Sequence, residues 1–224
     1  MATYILNIET STTNCSVALS KNGKTEVLKE DNDKNYSHAE RLHVYIDEVL
    51  KKAGLKANDL DAVAVSKGPG SYTGLRIGVS AAKGLCFALD KPLVSVPTLE
   101  ALAHKVQVEQ GLIVSMLDAR RMEVYSAVYN SKYEEVRQTQ AQILDENAFS
   151  EALSQGKVYF VGNGVEKTKT IIQHPHAVFI EGELPSANQM AKIAFNKFQD
   201  KEVEDVAYFE PYYLKDFIAL KSKK

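Results

Sequence analysis

The sequence predicts an α/β fold made of two similar halves, the second the smaller. Three observations lead there. Two apolar strands, at residues 4–9 and 112–118, each end in an acid, Glu9 and Asp118, and each is followed by a polar turn and two further strands. Each three-strand set then runs into helical segments separated by short apolar runs, the alternation of strands with crossover helices. At 224 residues, 45% hydrophobic and 25% charged, the chain has enough apolar matter to bury roughly 70% of its unfolded surface. A duplicated three-strand meander followed by helices and parallel strands is the pattern of two RNase-H-like halves facing across a cleft. A single mixed α/β sheet is the other arrangement this pattern allows. The division expected is 1–104 and 105–224, with the last helix and the tail packing back on the first half.

The elements follow in order. Segments 4–9 and 14–20 read as strands split by the polar turn at 10–13, and Asn22-Gly23 signals a tight hairpin into a third strand at 24–29. Ser37 as N-cap with Glu40 three residues on opens a helix carrying the stripe Leu42, Tyr45, Ile46, Val49 and Leu50, which Gly54 stops. An apolar strand at 62–66 ends in Lys67-Gly68-Pro69-Gly70, and a helix begins near 71–73. A strand at 93–96 follows, with Thr98 expected to cap a helix bearing Leu99, Leu102, Ala103 and Val106. In the second set, strands are expected at 112–118, 123–129 and about 133–144, then a helix at 146–153. A strand at 157–161, a turn at 162–164, a helix to about 173 and a strand at 177–180 come next. Ser186 caps an amphipathic helix with Met190, Ile193, Ala194 and Phe198.

Charge and composition exclude several functions. A net charge of −2 and a pI near 6.2 are not the balance of a chain that grips nucleic acid alone, although Lys215, Lys221, Lys223 and Lys224 make the tail basic. The opening residues lack the basic and long apolar regions of a signal peptide, and no apolar run approaches a membrane span. Cys15 and Cys86 do not make a disulfide framework. The expectation is a cytoplasmic chain with no membrane contact.

The segment 68–78, GPGSYTGLRIG, is the most informative motif. Its glycines allow a sharp turn after a strand, and its hydroxyl residues can cap a helix whose N-terminus could hold an anion. It matches neither a P-loop nor GxGxxG, so capping and packing explain it better than a ligand does. Within the helix, Gly78 and Gly84 are interior, each costing about 1 kcal/mol relative to alanine, and Ser80, Ala81, Ala82 and Ala88 are also small. Something must approach closely to offset that, either another part of this chain or a partner. Arg76 in the first turn opposes the helix dipole and calls for a carboxylate or phosphate.

No catalytic set emerges. His38, His43, His104, His174 and His176 form no metal motif, HExxH, HxxxH and paired CxxC are missing, and no serine stands in a nucleophile elbow. Glu9, Ser11, Arg76 and Asp118 are the candidates for a cleft or anion site. Glu9 and Asp118 could hold Mg²⁺ through water, or simply cap their turns. No resident cofactor or metal is expected.

Taken together, ILNIETSTTNCSVAL at the start, GPGSYTGLRIGVSAAKGL, Pro97-Thr98-Leu99-Glu100, DARRMEVY from Asp118, Gly162-Asn163-Gly164 and Pro211-Tyr212-Tyr213-Leu214 resemble the TsaB (YeaZ) family over nearly the whole chain. The resemblance implies an actin/sugar kinase/Hsp70-type fold and a non-catalytic subunit of the bacterial complex that forms threonylcarbamoyladenosine at position 37 of ANN-decoding tRNAs. It implies a larger TsaD-type transferase carrying HxxxH as partner, a small TsaE-type ATPase, and tRNA met through the complex. The family's interface helices fall at about 37–53 and 72–89 here. Leu42, Tyr45, Ile46, Val49, Gly74, Leu75, Gly78, Ala81 and Ala82 are therefore the expected partner surface, which could also form a homodimer when the chain is alone. Glu9 stands where the family usually has Asp, Tyr72 where Phe is frequent, and Lys215 where Arg is frequent. Two other functions compete: a stand-alone nucleotide-binding phosphotransferase of the actin-like fold, for which no catalytic aspartate and phosphate loop can be paired, and a peptidase, for which no nucleophile or metal signature exists.

Overall fold

The computed structural model describes residues 2–32 and 38–215. The Ser37 cap and the lysines at 221, 223 and 224 lie outside the described residues.

The first half is a five-stranded sheet. β1 (Tyr4–Glu9), β2 (Asn14–Lys21) and β3 (Lys24–Asn32) form an antiparallel meander. Its hairpin turns at Asn22 and Gly23, both at positive φ as a two-residue turn requires. β4 (Ala62–Gly68) and β5 (Leu93–Pro97) extend the sheet in parallel on the other side of β1, giving the order β3-β2-β1-β4-β5. Two helices, α1 (His38–Ala53) and α2 (Tyr72–Leu89), make the connections that parallel pairing demands.

The second half repeats that plan. β6 (Leu112–Asp118), β7 (Glu123–Asn130) and β8 (Glu135–Ile143) are antiparallel, and β9 (Val158–Val161) and β10 (Ala177–Ile180) are parallel beside β6. Its order, β8-β7-β6-β9-β10, is that of the first sheet strand for strand. The two sheets are separate, so the single-sheet alternative falls away.

Period-two alternation assigns each strand's side chains to opposite layers. Leu6, Ile8, Val63 and Val65 turn to α1 and α2, while Ile5, Ala62, Ala64 and Val94 turn to α6 (Ala187–Gln199). In the second sheet Val114, Met116 and Phe160 pack under α4 (Ser150–Ser154) and α5 (Val165–Lys169). On its other face Ile113, Leu117 and Val161 meet Leu99 and Leu102 of α3 (Thr98–Ala103). Helices α3 and α6 touch each other, so one helical layer lies between the two sheets.

Three local expectations are corrected. Thr98 does not cap α3. Pro97 holds that position, and Thr98, the first helical residue, turns its hydroxyl to accept from Gly68 N at 3.1 Å. The helix expected at 146–153 shrinks to α4, because Asp145 and Asn147 bind the backbone in a turn: Asp145 Oδ1 accepts from Asn147 N at 3.0 Å. The helix expected to run to 173 stops at Lys169, where the Thr170 hydroxyl bonds back to Lys167 O at 2.7 Å.

Candidate functional site

At the end of β1 the chain turns inward rather than out to a ligand. Glu9, Thr10 and Ser11 are buried. Glu9 Oε1 accepts from Ser11 N at 2.6 Å and from the Ser66 hydroxyl at 3.0 Å, and its Oε2 has no hydrogen-bond partner among the described residues. Burial pushes the Glu9 carboxyl above its ordinary range, against the pull of the bonds from Ser11 and Ser66.

Helix α2 is seated directly on this turn. Ser71 N donates to Ser11 O at 2.7 Å, the Thr10 hydroxyl donates to Gly74 O at 2.8 Å, and the Ser71 hydroxyl caps Gly74 N at 3.3 Å. A Cβ on Gly74 would stand 2.1 Å from Thr10 O. Gly70, Gly74 and Gly78 therefore admit the chain's own β1 turn, and Gly68 admits the backbone of Tyr212.

Asp118 is at the matching position of the second half but in a different role. It is exposed, its Oδ1 accepts from Arg120 N at 2.6 Å and from Lys167 Nζ at 2.9 Å, and it caps its own turn. Glu9 and Asp118 are not brought together. Neither lines the cavity between the halves, whose wall includes Lys67, Glu100, Tyr129 and Glu135.

Arg76 finds aromatic rings instead of an anion. Its guanidinium lies 4.3 Å over the Tyr72 ring and bonds to Tyr213, and the two tyrosine rings are 4.8 Å apart. Two of the histidines hold backbone carbonyls: His38 Nε2 meets Thr12 O at 2.7 Å, and His176 Nδ1 meets Leu153 O at 2.9 Å. No group of three metal-ligating side chains occurs among the described residues.

The residues expected at the partner surface are buried within this chain. Leu42, Tyr45, Ile46, Val49, Leu75, Ala81 and Ala82 are all buried against the first sheet, as are Gly74 and Gly78. The reason is that apolar periodicity marks the face a helix gives to its own core. The outer face of the same two helices carries different residues. Ala39, His43, Arg76, Ile77, Ser80, Gly84 and Leu85, with Ala81 at the base, line a groove of about 540 Å³ between α1 and α2. Phe87 stands 86% exposed further along α2, and Val44 is exposed on α1. Gly84 has nothing within 4 Å of where a Cβ would be.

The tail was not legible as part of any site. Lys83 Nζ donates to Ala207 O at 3.1 Å and Phe209 O at 2.9 Å, Tyr212 N donates to Lys67 O at 2.7 Å, and Lys215 pairs with Glu123 of the second half. These contacts join residues far apart in the chain; the tail is expected to pack back on the first half, but no local pattern names the residues that hold it there. No helix among the described residues is long and apolar enough to cross a membrane.

Comparison with known proteins gives consistent matches. Residues 32–223 match the family described as TsaD: tRNA N6-adenosine threonylcarbamoyltransferase. The chain is 31% identical over 226 residues to the tRNA threonylcarbamoyladenosine biosynthesis protein TsaB of Escherichia coli K12, covering 97% of this chain and 96% of that protein. It is also 37% identical over 129 residues to a tRNA N6-adenosine threonylcarbamoyltransferase of Staphylococcus epidermidis, which covers 50% of this chain and 38% of that enzyme. Among solved structures, YeaZ from Pseudomonas aeruginosa superposes with a TM-score of 0.83 at 28% identity, over 95% of this chain and 100% of that one.

Proposed function

Because the chain belongs to the TsaB (YeaZ) family, whose members are named for tRNA threonylcarbamoyladenosine biosynthesis, we propose that it is the non-catalytic subunit that binds and supports a TsaD-type transferase. In this reading the transferase modifies position 37 of ANN-decoding tRNAs, a TsaE-type ATPase joins the pair, and tRNA is met through the complex. The partner docks on the outer groove of α1 and α2, and in its absence a second copy of this chain can use the same face.

Gly84 carries the reading. An exposed glycine in mid-helix costs about 1 kcal/mol relative to alanine. Gly74 and Gly78 are explained by their contact with Thr10, whereas Gly84 has no intramolecular contact to explain it. A close-approaching helix from another chain supplies one, and the exposed Phe87 on the same helix gives that helix an aromatic anchor.

The test is the solution mass, by light scattering on a sizing column, of this chain mixed with the TsaD-type protein of the same organism. Gly84→Arg and Phe87→Asp should abolish a mixed complex that the parent chain forms, with the variants still folded. Leu42 and Gly78 are unsuited to this purpose, because both are buried and their replacement disturbs the fold itself. A complex of unchanged affinity with both outer-face variants would place the partner elsewhere.

The phosphotransferase reading has one specific observation against it: the β1 turn that would cradle a phosphate is buried under α2. Tight calorimetric binding of Mg·ATP with phosphoryl transfer would revive it.

A further inference from the structure

A cavity of about 770 Å³ lies where the two halves and the tail meet, within the size range of small-molecule sites. Its wall carries Glu100, Glu135, Glu204 and Glu210 against Lys67, a strong excess of negative charge. Two of these carboxylates are occupied: Glu204 accepts from the Ser95 hydroxyl at 2.5 Å, and Glu135 Oε1 accepts from Thr139 N at 3.2 Å. The Glu100 carboxyl has no ion pair or hydrogen bond among the described residues.

Tyr129 is a separate observation pointing the same way. It is 3% exposed, its ring is packed in the core with Leu99 and Ile113, and what remains open faces the cavity. Its hydroxyl has no hydrogen-bond partner among the described residues. The hydroxyl opens to the cavity, so its unfilled bonding capacity is available to a group bound there. Glu100, Glu135 and Tyr129 line this one cavity, and burial, then the charges of Glu135 and Glu100, push the Tyr129 phenol up. Burial also raises the Glu100 carboxyl, Lys197 and Lys67 oppose that, and Glu135 adds to it.

We propose that this cavity binds a small organic cation, a primary ammonium on a short aliphatic stem, with the ammonium held by Glu100, Glu135 and the Tyr129 oxygen. Carboxylates supply charge-assisted acceptors for the ammonium protons, and the phenol oxygen is a neutral acceptor beside them. The remaining wall, which includes Tyr208 and Tyr212, offers aromatic faces to the stem. An anion or a nucleotide phosphate would meet the same carboxylates and be repelled. A bare divalent ion is poorly served, because no compact set of three ligands is present among the described residues. The inference stands apart from the partner surface on α1 and α2 and is tested on the chain alone.

The probe is 1,4-diaminobutane, titrated calorimetrically into the full chain at low and at physiological salt, with 1,4-butanediol as the uncharged counterpart. Saturable one-to-one binding of the diamine and none of the diol is expected. Glu100→Gln and Glu135→Gln should each weaken it roughly tenfold, the loss of one charge-assisted hydrogen bond. Amide shifts on titrating the unaltered chain give a reading independent of any variant, and they should concentrate at residues 100, 129 and 135. The proposal is overturned by the absence of saturable binding, by binding that both Gln variants retain in full, or by shifts spread over the acidic surface.

Discussion

Gly78 and Thr10 meet with no room for another atom between them: a Cβ on Gly78 would stand 2.3 Å from the Thr10 hydroxyl oxygen. That contact fixes α2 on the β1 turn and gives two glycines of one helix opposite meanings. Gly78→Ala should destabilise the chain by about 1–3 kcal/mol through overpacking. Gly84→Ala, in open space, should stabilise it by about 1 kcal/mol through helix propensity. Urea midpoints for the two variants, moving in opposite directions from the parent, check the assignment; a loss of stability at Gly84 would refute it.

Glu9 makes stability depend on pH in an unusual direction for a carboxylate. Its folded value is raised above the ordinary 4.5, so the folded state holds its proton longer than the unfolded one. The cost of ionising it therefore grows as pH rises from about 4.5 toward the folded value, and stability falls over that window. Glu9→Gln keeps an acceptor for Ser11 N and the Ser66 hydroxyl while removing the buried charge. The variant should melt about 2–4 °C higher than the parent at neutral pH, the shift for each 1 kcal/mol gained, with the advantage fading toward pH 4. Parallel thermal curves across the whole range would contradict this.

His38 acts with the opposite sign. Burial lowers its value below 6.5, and the bond to Thr12 O partly opposes that. Its contribution to stability is fully present above pH 6.5 and is lost as pH falls from there toward the folded value. His38→Gln should remove that part of the slope, which denaturation curves at pH 5 and pH 7.5 can measure.

The tail depends on a lysine. Lys83→Met keeps the aliphatic stem but removes the donor to Ala207 O and Phe209 O. Amide exchange over residues 204–213 should quicken by about tenfold, for a local loss of roughly 1–1.5 kcal/mol. Exchange in β1 and β6 should hardly change. Identical tail exchange in variant and parent would show that the clamp contributes nothing.

Much of the architecture was legible in the residues. The strands announce themselves through alternation, and Asn22-Gly23 and Ser186 specify a hairpin and a cap by local chemistry alone. The recurrence of an acid-ended strand and two followers correctly marks the duplication, although Glu9 and Asp118 have separate fates. The site was legible only in part. Helical periodicity locates α1 and α2 but reports their inner face, so the residues it picks are core and the outer groove has to be read from exposure. Arg76 signals a missing partner, yet Tyr213 lies too far along the chain for spacing to name it. The inter-half cavity draws on β4, β5, α3, β7, β8 and the tail, and no local pattern assembles such a set.

Helix α6 has a consequence for the order in which the chain can become folded. Met190, Ile193 and Ala194 cover Ile5, Ala64 and Val94, so the first sheet is roofed by a helix that follows the whole second sheet in the chain. A nascent chain that has released β1 to β5 still displays much of one apolar face, which α3 covers only in part, until residues 187–199 clear the ribosome. Translation therefore carries a half-finished, adhesive sheet through the whole synthesis of the second half, a natural client for a ribosome-associated chaperone. A stop codon placed just before Ala187 would turn that passing exposure into a permanent one.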